Sequence, residues 1–243
     1  MTATSTLGAG VHTWTSQRWD GGVSAPPFAR LNLSHGVGDE RAAVTRNREI
    51  AAEHIGISAN QVAWMDQVHG ADVAVVSEPG GVSGVDALVT TRSEVVLAVQ
   101  VADCLPLVLA DAEAGVVGAA HSGRPGTVAG VAFRLVSEMS RQGAVPGRMT
   151  ALLGPAICGR CYEVGRQLQE RVGQAVPEAV CHTRAGTPGV DLRSGVSAQL
   201  RRAGVRDLRH DPRCTLENSE LFSYRRDGRT GRFATFVWRS QRE

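Results

Sequence analysis

Hydrophobic and polar positions divide the chain into a helical stretch, a long β-rich middle and a closing set of alternating elements. The segment from Gly38 to Gly56 places apolar residues at Ala43, Val44, Ile50, Ala51 and Ile55, with Asp39 as the expected N-cap, and predicts an amphipathic helix ending at Gly56. From residue 61 short apolar runs bounded by Gly, Pro and Asp predict strands at Gln61–Met65, Asp72–Val76, Ala87–Thr90, Val95–Val101, Leu105–Ala110 and Val116–Ala120. An earlier strand is expected over 9–15 and a Gly/Pro loop over 19–29. Later elements are a helix over 127–142, a strand at Thr150–Leu153, helices over 163–175 and 191–203, and a last strand at Phe233–Trp238. The alternation predicts an α/β chain, a mixed β-sheet with helices on its faces. No repeat or linker divides residues 1–243, so a single domain is expected.

Composition narrows the chemistry. The chain has 243 residues and a formal net charge of +2, so no polybasic field points to nucleic acid or to anionic lipid. Every basic residue is arginine. The absence of lysine excludes Schiff-base chemistry and the P-loop lysine. The opening MTATSTLGAGVHTW has neither a basic n-region nor a long apolar stretch, which leads us to expect a cytoplasmic location without a membrane span. Five cysteines scattered at 104, 158, 161, 181 and 214 argue for reduced thiols rather than a disulfide framework.

The run VADCLPLVL, residues 101–109, interrupts a core-like pattern with Asp103 and Cys104. If Leu105–Ala110 and Val116–Ala120 form a hairpin across the turn DAEAG, their far ends bring Cys104 beside His121. Such a pair is either an activated nucleophile or two metal ligands. His69, in a Gly-bounded turn, is the best third ligand. A His2Cys set with an open position would be a catalytic metal site, and Asp103 would then orient a ligand or move a proton. The loop after His121, HSGRPGTVAGV, leads into an expected helix N-terminus where backbone N–H groups and Arg124 could hold an anion. In FSYRRDGRTGR, residues 222–232, Tyr224 could stack on a base while Arg225 or Arg226 takes an anion. Cys158 and Cys161 have the C-x-x-C spacing of a redox motif or a zinc knuckle, but no second pair lies nearby and a turn rather than a helix follows the preceding strand, so a redox role is set aside. Cys181-His182 and Cys214 receive no role.

Taken in order, LNLSHGVGDE (31–40), RNR (46–48), QVHG (67–70), DALVT (86–90), ADCLPLVLAD (102–111), AAHSG (119–123), GP…CYEV (154–164), DL (191–192), CT (214–215) and FSYRRDGRTGRFA (222–234) resemble the bacterial YfiH/YlmD family. These laccase-domain, polyphenol oxidase-like proteins are now regarded as purine nucleoside phosphorylases. The resemblance implies a three-layer αβα sandwich with zinc, or alternatively copper, held by His69, Cys104 and His121. It also implies phosphorolysis of adenosine, inosine and methylthioadenosine, adenosine deamination, and in some members a link to peptidoglycan editing. On that basis Cys104, His121 and Asp103 are the expected catalytic residues. Arg48, Arg124, Asn32, Tyr224 and Arg225 are the expected contacts to nucleoside and phosphate, in a monomer or small homo-oligomer. Two departures stand out: the family's tryptophan and arginine after the metal histidine and its glycine are replaced by Arg124-Pro125, and GPAICGRC lacks the paired cysteines common before YEV. Rival readings are a copper phenol oxidase, a cysteine hydrolase pairing Cys104 with His121, and a non-catalytic binding or cell-envelope regulator that keeps the fold. The oxidase requires about ten histidines, and the chain has 7.

Overall fold

The computed structural model describes residues 4–240, so the first three residues of the N-terminal stretch read above lie outside it. Two six-stranded mixed sheets form the body. In spatial order the first comprises Ser5–Thr6, Val11–Thr15, Phe233–Arg239, Val96–Val101, Val62–Asp66 and Gly80–Ser83. The second comprises Asp207–His210, Thr150–Leu153, Leu105–Asp111, Val116–Ser122, Ala87–Thr90 and Val73–Val75. A small hairpin, Val180–His182 with Pro188–Val190, stands apart.

Period-two alternation builds the layers. In Val96–Val101, Leu97, Val99 and Val101 enter the core shared by both sheets, while Val96 and Ala98 face the opposite way with Trp14, Trp64 and Phe236. Leu105–Asp111 does the same in the second sheet: Val108 and Ala110 face the first sheet, and Leu105, Leu107 and Leu109 pack under the helices. Such strands are buried on both faces, which explains why they read as continuous apolar runs rather than alternating ones. The helix Arg41–His54 covers the outer face of the first sheet through Ala51 and Ile50. Val131–Arg141 and Leu192–Arg202 cover the second through Leu135, Met139, Val196 and Leu200. The mixed α/β class therefore stands, and the β layer between the helical layers is two sheets thick.

Most expected elements lie within a residue or two of their observed ends. Asp39 is not a helix cap: Glu40 occupies that position, and the Asp39 carboxylate accepts instead from Ser24 Oγ, Asn32 Nδ2 and the Glu40 N–H. The helix expected over 127–142 is two helices, Arg124–Val128 and Val131–Arg141. Gly130 separates them at φ 78°, a left-handed conformation that a side chain resists. An alanine there meets only ordinary contact with Phe133. Gly130→Ala should therefore cost about 1 kcal/mol through backbone strain alone and lower the thermal midpoint by about 3 °C in calorimetry. Among the described residues no helix is long and apolar enough to cross a membrane.

Candidate metal centre and cleft

The crossings between the two sheets position the reactive side chains. Val62–Asp66 belongs to the first sheet and Val73–Val75 to the second, and His69 lies in the loop that joins them. Ala102-Asp103-Cys104 is likewise the short passage from Val96–Val101 to Leu105–Asp111. At both crossings the chain turns through a left-handed residue that is not glycine, His69 at φ 62° and Asp103 at φ 97°. Such strained positions persist only where surrounding contacts fix them. His121 comes from within the second sheet, where it pairs in register with Pro106. The hairpin across residues 111–115 therefore forms as expected and delivers its histidine beside the crossing thiol.

Asp86 fixes this arrangement. Its side chain is fully buried, and its carboxylate accepts from the N–H groups of Val68, His69 and Gly70 at 3.2, 3.0 and 2.6 Å. It also meets His121 Nδ1 at 2.7 Å. Burial pushes the Asp86 carboxyl up, but the His121 hydrogen bond and the backbone donors outweigh burial and hold it below the usual carboxylate range. With Nδ1 committed to Asp86, the His121 Nε2 edge is left for a ligand.

The candidate ligand atoms of His69, Cys104 and His121 all lie within 4.8 Å of one another. Cys104 Sγ is 3.8 Å from His69 Nε2, and the two imidazoles meet edge to face with centroids 4.6 Å apart. Burial raises the Cys104 thiol, yet His121 and His69 outweigh burial and bring it down to about 6. Burial draws His121 down, while the Cys104 sulfur and Asp86 carry it up to about 9. A soft thiolate and two imidazoles, one of them backed by a carboxylate, match the donor set of a zinc or copper site with an open position. Gly123 supplies the space. A Cβ there would stand 2.8 Å from His69 Cδ2, 3.1 Å from Cys104 Sγ and 3.4 Å from His121 Cε1.

These residues form one end of a cleft of about 830 Å³. Its other walls carry Arg48, Trp64, Tyr162, Tyr224, Arg225 and Arg232. Arg48 lies flat on Trp64, 3.9 Å from the ring centroid, with Nε donating to the Leu33 carbonyl. Burial lowers its guanidinium to about 10. Arg225 stacks over Tyr162 at 5.1 Å, and Tyr224 is largely exposed at the rim.

Two expected contacts, Asn32 and Arg124, sit elsewhere, and the expected catalytic residue Asp103 is otherwise engaged. Asn32 is fully buried and does not line the cleft, because its amide is spent within the protein: Nδ2 donates to Ser34 O and Asp39, and Oδ1 accepts from the N–H groups of Ser34 and Arg232. Arg124 also lies off the cleft wall. It sits against Tyr162, where its charge works against the upward push of burial and Cys104 on that phenol. The helix expected to present its N-terminus to an anion is only five residues long, Arg124–Val128, too short for a developed dipole. Asp103 lines the cleft, but its carboxylate accepts three short hydrogen bonds, from Thr215 Oγ1, Ser223 Oγ and the Arg225 N–H at 2.6, 2.7 and 2.6 Å. It clamps the 215–225 segment against the crossing loop.

Asp86, Arg232 and Tyr162 belong to the site without any role assigned from sequence. The available signal for Asp86 is a carboxylate heading the wholly buried strand Ala87–Thr90.

Comparison with known proteins supplies the chain's relatives. Residues 12–240 match the family model described as multi-copper polyphenol oxidoreductase laccase. Purine nucleoside phosphorylase ORF3 of Streptomyces griseus is 52% identical over 239 residues, 97% of either chain. A purine nucleoside phosphorylase of Deinococcus radiodurans is 43% identical over 96% of this chain and 90% of its own. Among solved structures, YlmD from Geobacillus stearothermophilus superposes with a TM-score of 0.90 at 34% identity, covering 96% of this chain and 93% of that one. The hypothetical protein YfiH of Bacillus licheniformis gives 0.86 at 28% identity, over 95% and 93%. With a family model spanning nearly its whole length and relatives above 50% identity, the chain belongs to the laccase-like YfiH family of multi-copper polyphenol oxidoreductase laccases.

Proposed function

We propose that this protein is a purine nucleoside phosphorylase that cleaves adenosine, inosine and S-methyl-5′-thioadenosine, with zinc-dependent adenosine deaminase activity at the same cleft. The observation that carries the reading is the shared cleft: three arginines, Arg48, Arg225 and Arg232, line the space that also contains the His69, Cys104 and His121 set. The name shared by the relatives supports it. The half-buried guanidinium groups of Arg48 and Arg232, with the exposed Arg225 beside them, are suited to a phosphate dianion, and Tyr162 and Tyr224 offer aromatic faces to a purine.

In phosphorolysis the C1′–N9 bond breaks and a C1′–O bond forms. The hydrogen phosphate dianion gives up its one proton as it attacks, and the departing purine carries that proton away. The arginines bind the nucleophile and hold it against the ribose, so positioning and charge stabilisation supply the rate. Arg124, through Tyr162, and Asp103, through its three donors, are positioning residues. When bound by His69, Cys104 and His121, zinc supplies Lewis acidity at this end of the cleft. Deamination replaces the C6 amino group of adenosine by a water oxygen and releases ammonia.

Chromatography of adenosine incubations, with and without phosphate, tests this. Adenine and ribose 1-phosphate should form only with phosphate, and inosine should form without it and vanish on zinc removal. Arg48→Gln should raise KM for phosphate about 10- to 100-fold, the loss of a charge-assisted contact, with a much smaller change in KM for the nucleoside. Oxygen uptake with phenols in place of adenine release would sink the proposal in favour of a copper oxidase. A second reading draws on the lowered Cys104 thiol beside His121. Hydrolysis that survives complete chelation but not Cys104→Ser would establish a cysteine hydrolase, with peptidoglycan editing as its context.

A further inference from the structure

Away from the cleft wall, the fold gathers a second set of soft donors. Cys158 and Cys161 lie on one tight turn, where the N–H groups of Cys161 and Tyr162 both donate to the Cys158 carbonyl at 2.9 Å. Cys214 arrives from 56 positions beyond Cys158, carried by an isolated parallel bridge to Ala156. The Cys158 N–H donates to Cys214 Sγ at 3.3 Å, the kind of contact that stabilises a thiolate at a metal knuckle. Glu217 follows one turn later, its N–H bonded to the Cys214 carbonyl. One ligand atom from each of the four lies within 4.8 Å of all the others, and all three thiols are free.

We propose that Cys158, Cys161, Cys214 and Glu217 form a second metal site, a structural zinc centre separate from the His69, Cys104 and His121 set. Thiolates held tetrahedrally at about 2.3 Å from zinc stand ~3.8 Å apart, so only a small contraction closes the site. Three thiolates select a soft or borderline ion, and a C-x-x-C turn with a third cysteine from a distant segment is a structural zinc pattern. As the Zn–S bonds form, three thiol protons leave to solvent and nothing is oxidised or reduced. The filled site carries two net negative charges. Arg184, ion-paired with Glu217 and close enough to feel Cys158 and Cys161, supplies a counter-charge at its edge. Without a cation the thiols keep their protons: burial and Cys214 hold Cys158 above the ordinary thiol range against the pull of Cys161, and burial with Cys158 and Cys214 holds Cys161 above it.

The location gives the metal its role. Tyr162, next to Cys161, lies under Arg225, and Thr215, next to Cys214, donates to Asp103. A zinc ion here pins the 156–164 turn, which lines the cleft through Ile157 and Tyr162, to the 214–217 turn, which backs the cleft residue Asp103 through Thr215. It is a staple and takes no part in the reaction.

The experiment uses the full chain carrying Cys104→Ala, which removes the thiolate of the first site. Elemental analysis after purification in zinc-containing buffer and desalting should find one zinc per chain. Cobalt substituted for it should show the strong near-ultraviolet charge-transfer absorption of three thiolates. Adding Cys214→Ser should remove that ion, and a strong chelator should lower the thermal midpoint of the Cys104→Ala chain by at least about 5 °C. The cobalt spectrum needs no further variant, so a misfolded Cys214→Ser chain leaves the test intact. Zinc-free Cys104→Ala protein with no cobalt–thiolate band would overturn the proposal. So would an intact mass two hydrogens short with a peptide linking Cys214 to Cys158 or Cys161, which would make the cluster a disulfide pair.

Discussion

Asp86→Ala should be the most damaging single substitution around the His69, Cys104 and His121 set, lowering the thermal midpoint by about 10 °C and metal affinity of the first site at least 10- to 100-fold. The side chain is fully buried and serves four donors, three from the backbone of Val68 to Gly70 and one from His121. Each donor left unsatisfied in a buried setting costs about 1–3 kcal/mol. Partial rehydration of the exposed His69 loop reduces the sum, and about 4 kcal/mol is the expected net loss. The loop then loses what holds His69 in its left-handed conformation, and His121 loses the partner that fixes its tautomer. Asp86→Asn separates the two effects. Its amide keeps the shape but offers one acceptor oxygen, so it should recover part of the stability and little of the metal affinity. Elemental analysis and calorimetry on the same preparations measure both. An Asp86→Ala chain with a wild-type midpoint and full metal content would show that the carboxylate is not the keystone the geometry makes it.

The contrast between Asp86 and Cys104 shows where the sequence was legible. Cys104 announces itself because it breaks an apolar run that is otherwise buried on both faces, and the adjoining hairpin fixes its distance to His121 through short-range turn chemistry. The strand positions follow for the same reason: their side chains alternate between two cores, so successive residues must be apolar. What could not be read is how separate segments close in space. The doubled β layer depends on the chain crossing between sheets at His69 and at Asp103, and nothing local in QVHG or ADC marks a sheet change. Asn32 shows the same limit from the other side. A polar residue in a matching motif looked like a substrate contact, but the fold spends its amide on Ser34, Asp39 and Arg232. Cys214 had no visible partner because the bridge that carries it to Cys158 spans 56 positions.

Metal affinity at His69, Cys104 and His121 should rise about tenfold per pH unit between pH 6 and pH 9 and level off above it. The sign follows from where the proton resides in the metal-free protein. The Cys104 thiol is lowered to about 6 and His121 is raised to about 9, so between those values the pair is a thiolate beside an imidazolium. The imidazolium has one N–H directed to Asp86 through Nδ1, and its other proton occupies Nε2, the edge a metal must take. Each ion bound in this window therefore displaces one proton, which makes the logarithm of affinity climb with unit slope. Below pH 6 the thiol is protonated as well, two protons must leave, and the slope steepens. Above pH 9 neither remains and the dependence vanishes. Chelator competition with zinc across pH 5.5 to 9.5, in a Cys214→Ser chain that presents only this site, gives the curve directly. An affinity independent of pH from 6 to 9 would mean that His121 is already neutral in the metal-free protein. Asp86 would then act only as a fixed acceptor that sets the ring's orientation, and would contribute nothing to holding its charge.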